Sequence, residues 1–389
     1  MVHGHAASGF GPVRDRFELN FSELGEIGAA FSVVVDGETV VDLWAGAADR
    51  DAGTPWGHDT MQVIFSGTKG LTAACVLLLI EREQLDLGAP VARYWPEFAA
   101  AGKADITLAE IVSHRSGLPA LRTPVTSVEA LDERRMADLL AAQAPFTEVR
   151  GRICYHSITY GWLLGEIVRR VDGRTIGRFF ADEIAGPLGL ETWIGLPEDC
   201  YSRVGRLVFG EPPPETPTAP AEFAEVVAAA ESLPMLTTDQ QLWNTPLAWS
   251  AEIAAAGGIT TARSLARFYG CLARGGEIDG VRILRPETVE LGRTPLATET
   301  ADPLWGLPSS FGVGFGLYCH ELPGRPRVPD SFGHGGFGGS QHGAWPSARL
   351  GYSYVPNSLR LDPAALPDGI LPGDRLQAAL ADCVGIGRS

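Results

Sequence analysis

The sequence predicts an α+β fold: an antiparallel sheet drawn from both ends of the chain, flanked by terminal helices, with a mostly helical region between. Three observations predict it. β-Branched runs surround an Asp-Gly pair near the start, helical periodicity fills the middle, and short glycine-separated strand candidates return near the end. Residues 1–389 are read as one domain. Roughly 1–65 and 300–389 build its sheet part, and roughly 66–299 its mostly helical part.

The elements follow in order. Residues 12–27 place Val13, Phe17, Phe21 and Leu24 at helical spacing, so an amphipathic helix is expected there. The runs Phe31–Val35 and Thr39–Trp44 flank Asp36-Gly37, a hairpin signal because both turn residues must tolerate positive φ. Residues 66–83 read as a helix that is apolar nearly all round from Leu71 to Ile80, hence buried. A short helix is expected over 106–113, closed by the loop SHRSGLP. A Pro-rich loop spans about 208–222. A helix over 259–275 would be capped by Thr260 or Thr261, with Leu265, Ala266, Tyr269 and Leu272 on one face. Phe311–Tyr318, Ser331–His334, Gly343–Trp345 and Leu350–Val355 are strand candidates, and Asp374–Val384 is a final helix.

Composition narrows the function. The chain is 45% hydrophobic and 20% charged, ordinary for a soluble globular protein long enough to bury a large core. Its net charge of −16 argues against nucleic-acid partners and against docking on anionic lipid. No apolar stretch reaches the length of a membrane span, and Met1–Gly11 lacks the basic and apolar regions of a signal peptide. Cysteines at 75, 154, 200, 271, 319 and 383 show no C-x-x-C spacing and read as reduced thiols of a cytoplasmic protein. The eight histidines form no zinc motif, so neither metal nor organic cofactor is expected. His3 and His5 sit at a terminus expected to be mobile. A homodimer is compatible with the sequence.

The chemistry begins with the lysines. Of 31 basic residues only Lys69 and Lys103 are lysine, so positions that keep it are expected to need a nitrogen able to lose its proton, as guanidinium cannot. In the run IFSGTKG, Ser66 and Lys69 stand at i and i+3. On a helix such side chains share a face, about 5–6 Å apart at Cβ. Serine needs a base within hydrogen-bond reach to act as a nucleophile, and a buried lysine can supply it. No serine has glycine on both sides at two residues' distance, so the nucleophile elbow of the α/β-hydrolases is absent.

Beyond these residues the chain resembles the serine β-lactamase and penicillin-binding-protein superfamily, and more closely the class C β-lactamase-like esterases called family VIII carboxylesterases. The likeness rests on VIFSGTKG at 63–70, ITLAEIVSHRSGLPAL at 106–121, YHSITYGWLLGEIVRRVDG at 155–173, AAGGITTARSLARF at 255–268, FGVGFGL at 311–317 and FGHGGFGGSQHGAW at 332–345. The resemblance implies a β-lactamase-like α+β fold, with Ser66 as the acyl-accepting nucleophile and Lys69 as its partner. It makes Tyr155 the tyrosine of the Y-x-N or Y-x-S motif, an acid–base group. His334-Gly335-Gly336 falls where lactamases carry K-T-G, a substrate-binding strand. The amides of Ser66 and Phe337 would form the oxyanion hole.

Two departures carry weight. His334 replaces the K-T-G lysine and Ser157 replaces the asparagine of Y-x-N. Without that lysine to hold a substrate carboxylate, neutral esters become the expected small-molecule substrates, hydrolysed by a carboxylesterase. The alternatives are a β-lactamase, D-amino-acid peptidase or amidase, an acyltransferase, and an inactive sensor or scaffold. His156 and His334 stand as alternative proton carriers should Tyr155 prove dispensable.

Overall fold

The computed structural model describes residues 1–213, 220–232, 239–299, 301–304, 306–317 and 324–386. Parts of the Pro-rich loop and of the strand candidate ending at Tyr318, together with Cys319, lie outside the described residues.

Helix α1 (Gly11–Leu24) buries Val13, Phe17 and Leu24 as their spacing requires. The chain then forms β2 (Gly28–Val35) and β3 (Glu38–Asp49), joined by the two-residue turn Asp36-Gly37. Asp36 and Gly37 both take positive φ, at 52° and 96°, matching the right-handed twist of the flanking strands. The HGH terminus, expected to be mobile, is built into the sheet. His3–Ala6 is an edge strand, β1, paired antiparallel with Val41–Trp44 of β3, and the His3 ring stacks on Trp44. Polar alternation over four residues is too short a pattern to be read as a strand in advance.

The main sheet runs β1, β3, β2, then Leu350–Pro356, Gln341–Trp345, Phe332–Gly333, Gly316–Leu317, Ser309–Phe311 and Ala297–Glu299, every pair antiparallel. Strands β2 and Leu350–Pro356 are buried almost throughout rather than on alternate residues. The reason is that helices cover both faces of the sheet. On one face α1 and the terminal helix Pro372–Val384 pack with Phe31, Val33, Tyr352 and Tyr354. On the other lies the helix Ala262–Ala273. This helix starts later than the sequence suggests, because Gly258–Thr260 is a strand and Thr261 is the N-cap, its side chain accepting from the Ser264 amide. β-Branched Ile259 and Thr260 gain more from pairing with two neighbouring strands than from another helical turn.

Helix α2 (Thr68–Glu81) is buried from Thr68 to Leu79. Burying Leu71, Val76, Leu77 and Leu79 stabilises the fold by about 1.5–3 kcal/mol each. Among the described residues no helix is long and apolar enough to cross a membrane.

Candidate active site

The site assembles at the start of α2. Ser66 lies not in the α-helix but in a 3-10 turn, Phe65–Gly67, that leads into it. The turn is entered through Phe65, whose φ of 45° is left-handed, a strained conformation for a non-glycine residue costing on the order of 1–3 kcal/mol. Its surroundings hold it there. The Ile64 amide donates to the Gly258 carbonyl (2.9 Å), Gln62–Val63 pairs with Ile259–Thr260, and Thr68 Oγ1 donates to the Phe65 carbonyl (2.6 Å) while accepting from the Gly258 amide (2.7 Å). The Phe65 ring packs edge-on against Trp243, Phe337 and Phe209.

Two close approaches fix the turn against the sheet. A Cβ on Gly67 would lie 2.6 Å from Cδ2 of buried His342, and one on Gly336 would lie 2.1 Å from the Ile64 carbonyl oxygen. Only glycine lets the chain pass this close to the His342 ring and to the Ile64 carbonyl. The segment Gly335–Phe337 is thereby laid along residues 64–66. Neither the Ser66 nor the Phe337 amide donates to another group among the described residues.

Lys69 Nζ lies 3.1 Å from Ser66 Oγ. It also donates to the Ser157 carbonyl (2.7 Å) and the Ala255 carbonyl (3.0 Å). The lysine is wholly buried, among the described residues no carboxylate pairs with it, and burial drives its pKa well below the ordinary ammonium range. Its nitrogen stands 4.9 Å from the centre of the Tyr155 ring. Ser157 thus meets the lysine through its main chain.

Tyr155 Oη lies 3.3 Å from His334 Nε2. His334 Nδ1 is 2.7 Å from the Gly335 carbonyl, which can only accept, so Nδ1 carries the proton and Nε2 offers a lone pair to the phenol. Burial, and then Lys69, push the pKa of His334 down to about 3. It is a neutral acceptor and no substitute for the cation of K-T-G. His156 is turned away: Nδ1 donates to the Cys154 carbonyl (2.6 Å) and Nε2 faces Ser116 Oγ (2.7 Å) and the Leu118 amide. Burial lowers its pKa to about 4. It is a loop-binding imidazole, which removes it as an alternative proton carrier.

Ser66, Lys69, Tyr155, Ser157, His334, Gly335, Gly336 and Phe337 therefore converge from three distant stretches of chain. Sequence reading missed Asp302, whose Oδ2 accepts from the Tyr155 amide (2.8 Å), and His114, which packs beneath Tyr155. No local pattern marks Asp302, whereas the loop SHRSGLP already displayed His114. Among the described residues no group of His, Cys, Asp and Glu side chains could hold a metal ion.

A family model described as Beta-lactamase matches residues 17–372. The protein described as "Esterase/beta-lactamase LipL" of Mycobacterium tuberculosis is 34% identical over 362 residues, covering 88% of this chain and 79% of the relative. A solved structure of a family VIII carboxylesterase superposes with a TM-score of 0.88 at 34% identity, covering 98% of this chain and 100% of the other. A penicillin-binding protein homologue from Caulobacter crescentus gives the same TM-score, identity and coverage.

Proposed function

The chain belongs to the beta-lactamase family of serine hydrolases, and from that premise we propose that it is a carboxylesterase cleaving neutral esters of small to medium acyl chains through an acyl-enzyme on Ser66. The observation that carries the reading is the 3.1 Å contact between a wholly buried lysine nitrogen and the Ser66 hydroxyl. With its pKa lowered, Lys69 takes the hydroxyl proton as Oγ bonds to the ester carbonyl carbon. The amides of Ser66 and Phe337 receive the oxyanion. Collapse breaks the carbon–oxygen bond to the alcohol. The departing oxygen takes a proton from Tyr155, which regains one from the Lys69 ammonium. Water then adds to the acyl carbonyl with the same groups carrying its proton, Ser66 leaves as the hydroxyl, and the acid departs. The net reaction is ester plus water to acid plus alcohol.

Two features favour a neutral substrate. His334 is uncharged where a lactamase-type site has its carboxylate-binding lysine. Phe65, next to Ser66 in the chain, packs in an aromatic cluster with Phe209, Trp243 and Phe337. The free thiols at Cys75, Cys154, Cys200 and Cys271 support a reducing, cytoplasmic setting.

Hydrolysis of a p-nitrophenyl ester, a chromogenic cephalosporin and a D-alanyl amide, measured side by side, tests the reading, with mass spectrometry of the protein trapped by a slow acylating ester. Ester turnover should dominate and the added mass should map to Ser66. Strong amide cleavage with negligible ester cleavage would overturn the ester assignment, an adduct elsewhere would overturn the nucleophile, and faster turnover with an added alcohol would point to acyl transfer.

A further inference from the structure

His114 is wholly buried, takes no part in the chemistry above, and holds a left-handed backbone at φ 62°. Its placement is specific. The Cys154 amide donates to the His114 carbonyl (3.0 Å) and the His156 amide donates to His114 Nδ1 (3.1 Å). One residue thus tethers the chain on both sides of Tyr155, whose own amide is held by Asp302. The His114 ring lies 4.8 Å from the Tyr155 ring and 5.0 Å from Tyr160, with Phe311 edge-on at 4.4 Å. Since Nδ1 accepts a backbone N–H, it carries no proton, and the ring is the neutral Nε2–H tautomer. Protonating Nδ1 would set two donors against each other. Nε2 has no hydrogen-bond partner among the described side chains and backbone, so the ring's only polar engagement is with the chain that carries Tyr155.

We propose that His114 is a positioning residue for the reaction: through its Nδ1 acceptor and its ring it fixes the height and tilt of the Tyr155 phenol between Lys69 and His334. This rests on the role given to Tyr155 above. A phenol that must pass a proton to a leaving group works only when its oxygen stays within hydrogen-bond reach, so a loosened ring should slow turnover without weakening substrate binding.

The test compares His114→Asn, His114→Gln and His114→Gly with Tyr155→Phe. Asparagine places Oδ1 where Nδ1 stands and tolerates positive φ. Glutamine carries its acceptor one bond too far, and glycine keeps the backbone but deletes the acceptor. His114→Asn should hold kcat within about fivefold of the parent, while His114→Gln and His114→Gly should lose on the order of tenfold or more in kcat with KM nearly unchanged. Fluorophosphonate labelling of Ser66 counts competent sites, so rates are read per folded molecule, and either losing variant suffices if the other does not fold. Equal kcat in all the folded variants, whether high or low, would overturn the proposal. If Tyr155→Phe itself keeps a near-normal rate, the tyrosine's role fails instead; if it is slow while the His114 variants do not separate, only the role of His114 fails.

Discussion

The chain's two lysines occupy sites that look alike and differ in one atom type. Both side chains are wholly buried, and each nitrogen meets three oxygen atoms. Lys103 Nζ donates to the carbonyls of Ala100 (2.8 Å), Ala141 (2.9 Å) and Gln143. Ala141 and Gln143 close the helix Glu133–Ala142, so this ammonium caps carbonyls that the helix leaves unpaired. Lys69 Nζ meets two carbonyls and a hydroxyl. Carbonyls only accept, so three of them require three N–H groups and hold Lys103 as an ammonium. A hydroxyl can also donate, so the Lys69 site suits the ammonium, with Ser66 accepting, and equally the amine, with Ser66 donating. The difference makes one lysine a structural clamp and the other fit to be a base. Burial lowers both, Lys103 to about 8 and Lys69 well below the ordinary ammonium range.

The largest effects should fall on the hydroxyl side of this comparison. Ser66→Ala should abolish measurable turnover. Lys69→Arg should cost at least about a thousandfold in kcat despite keeping a cation, because guanidinium cannot accept the proton. An arginine variant retaining most of its rate would reduce Lys69 to an electrostatic prop and erase the contrast with Lys103. Tyr155→Phe comes next, at about a hundredfold in kcat, measured on the same ester.

Lys103→Met should do the reverse. It leaves three buried carbonyls without a donor and should destabilise the fold by about 3 kcal/mol in denaturant unfolding. None of its partners touches Ser66 or Tyr155, so kcat per folded molecule should stay within about twofold. A large kcat loss at unchanged stability would mean that Lys103 also serves the site.

How much of this was legible in the sequence follows the same division. The scarcity of lysine pointed to both positions, but it offered one reason for both, a removable proton. That reason suits Lys69 and not Lys103, where the compact ammonium is what a broad guanidinium could not replace. Spacing brought Ser66 to Lys69, although the pair is set by a 3-10 turn and a strained Phe65 rather than by an α-helical face. Strain of this kind is imposed by tertiary contacts, here Gly258, Thr68 and the aromatic ring cluster, and leaves no local pattern. The hairpin at Asp36-Gly37, the buried helix and the terminal helices were readable because turn chemistry and periodicity are local. The strand at Gly258–Thr260 was not, since its partners come from residues 62–63 and 192–194. The neutral state of His334 was equally hidden, because it follows from burial and from the Gly335 carbonyl.

The smallest expected effect is a separation of two titrations, and it probes the comparison most directly. Because the chain holds only two lysines, protein labelled at lysine should give two side-chain nitrogen signals, assigned by the Lys103→Met variant. As pH falls from 9, Lys103 should gain its proton near 8, and the Lys69 signal should report its own midpoint, which burial places well below the ordinary ammonium range. The sign for catalysis follows. The amine is the working base, so kcat/KM should rise with pH through the Lys69 midpoint and be indifferent to the Lys103 one. Activity that instead tracks the Lys103 signal, or a Lys69 that stays an ammonium while ester turnover is at its maximum, would show that the hydroxyl does not make the difference ascribed to it, and that Ser66 is activated by some other group.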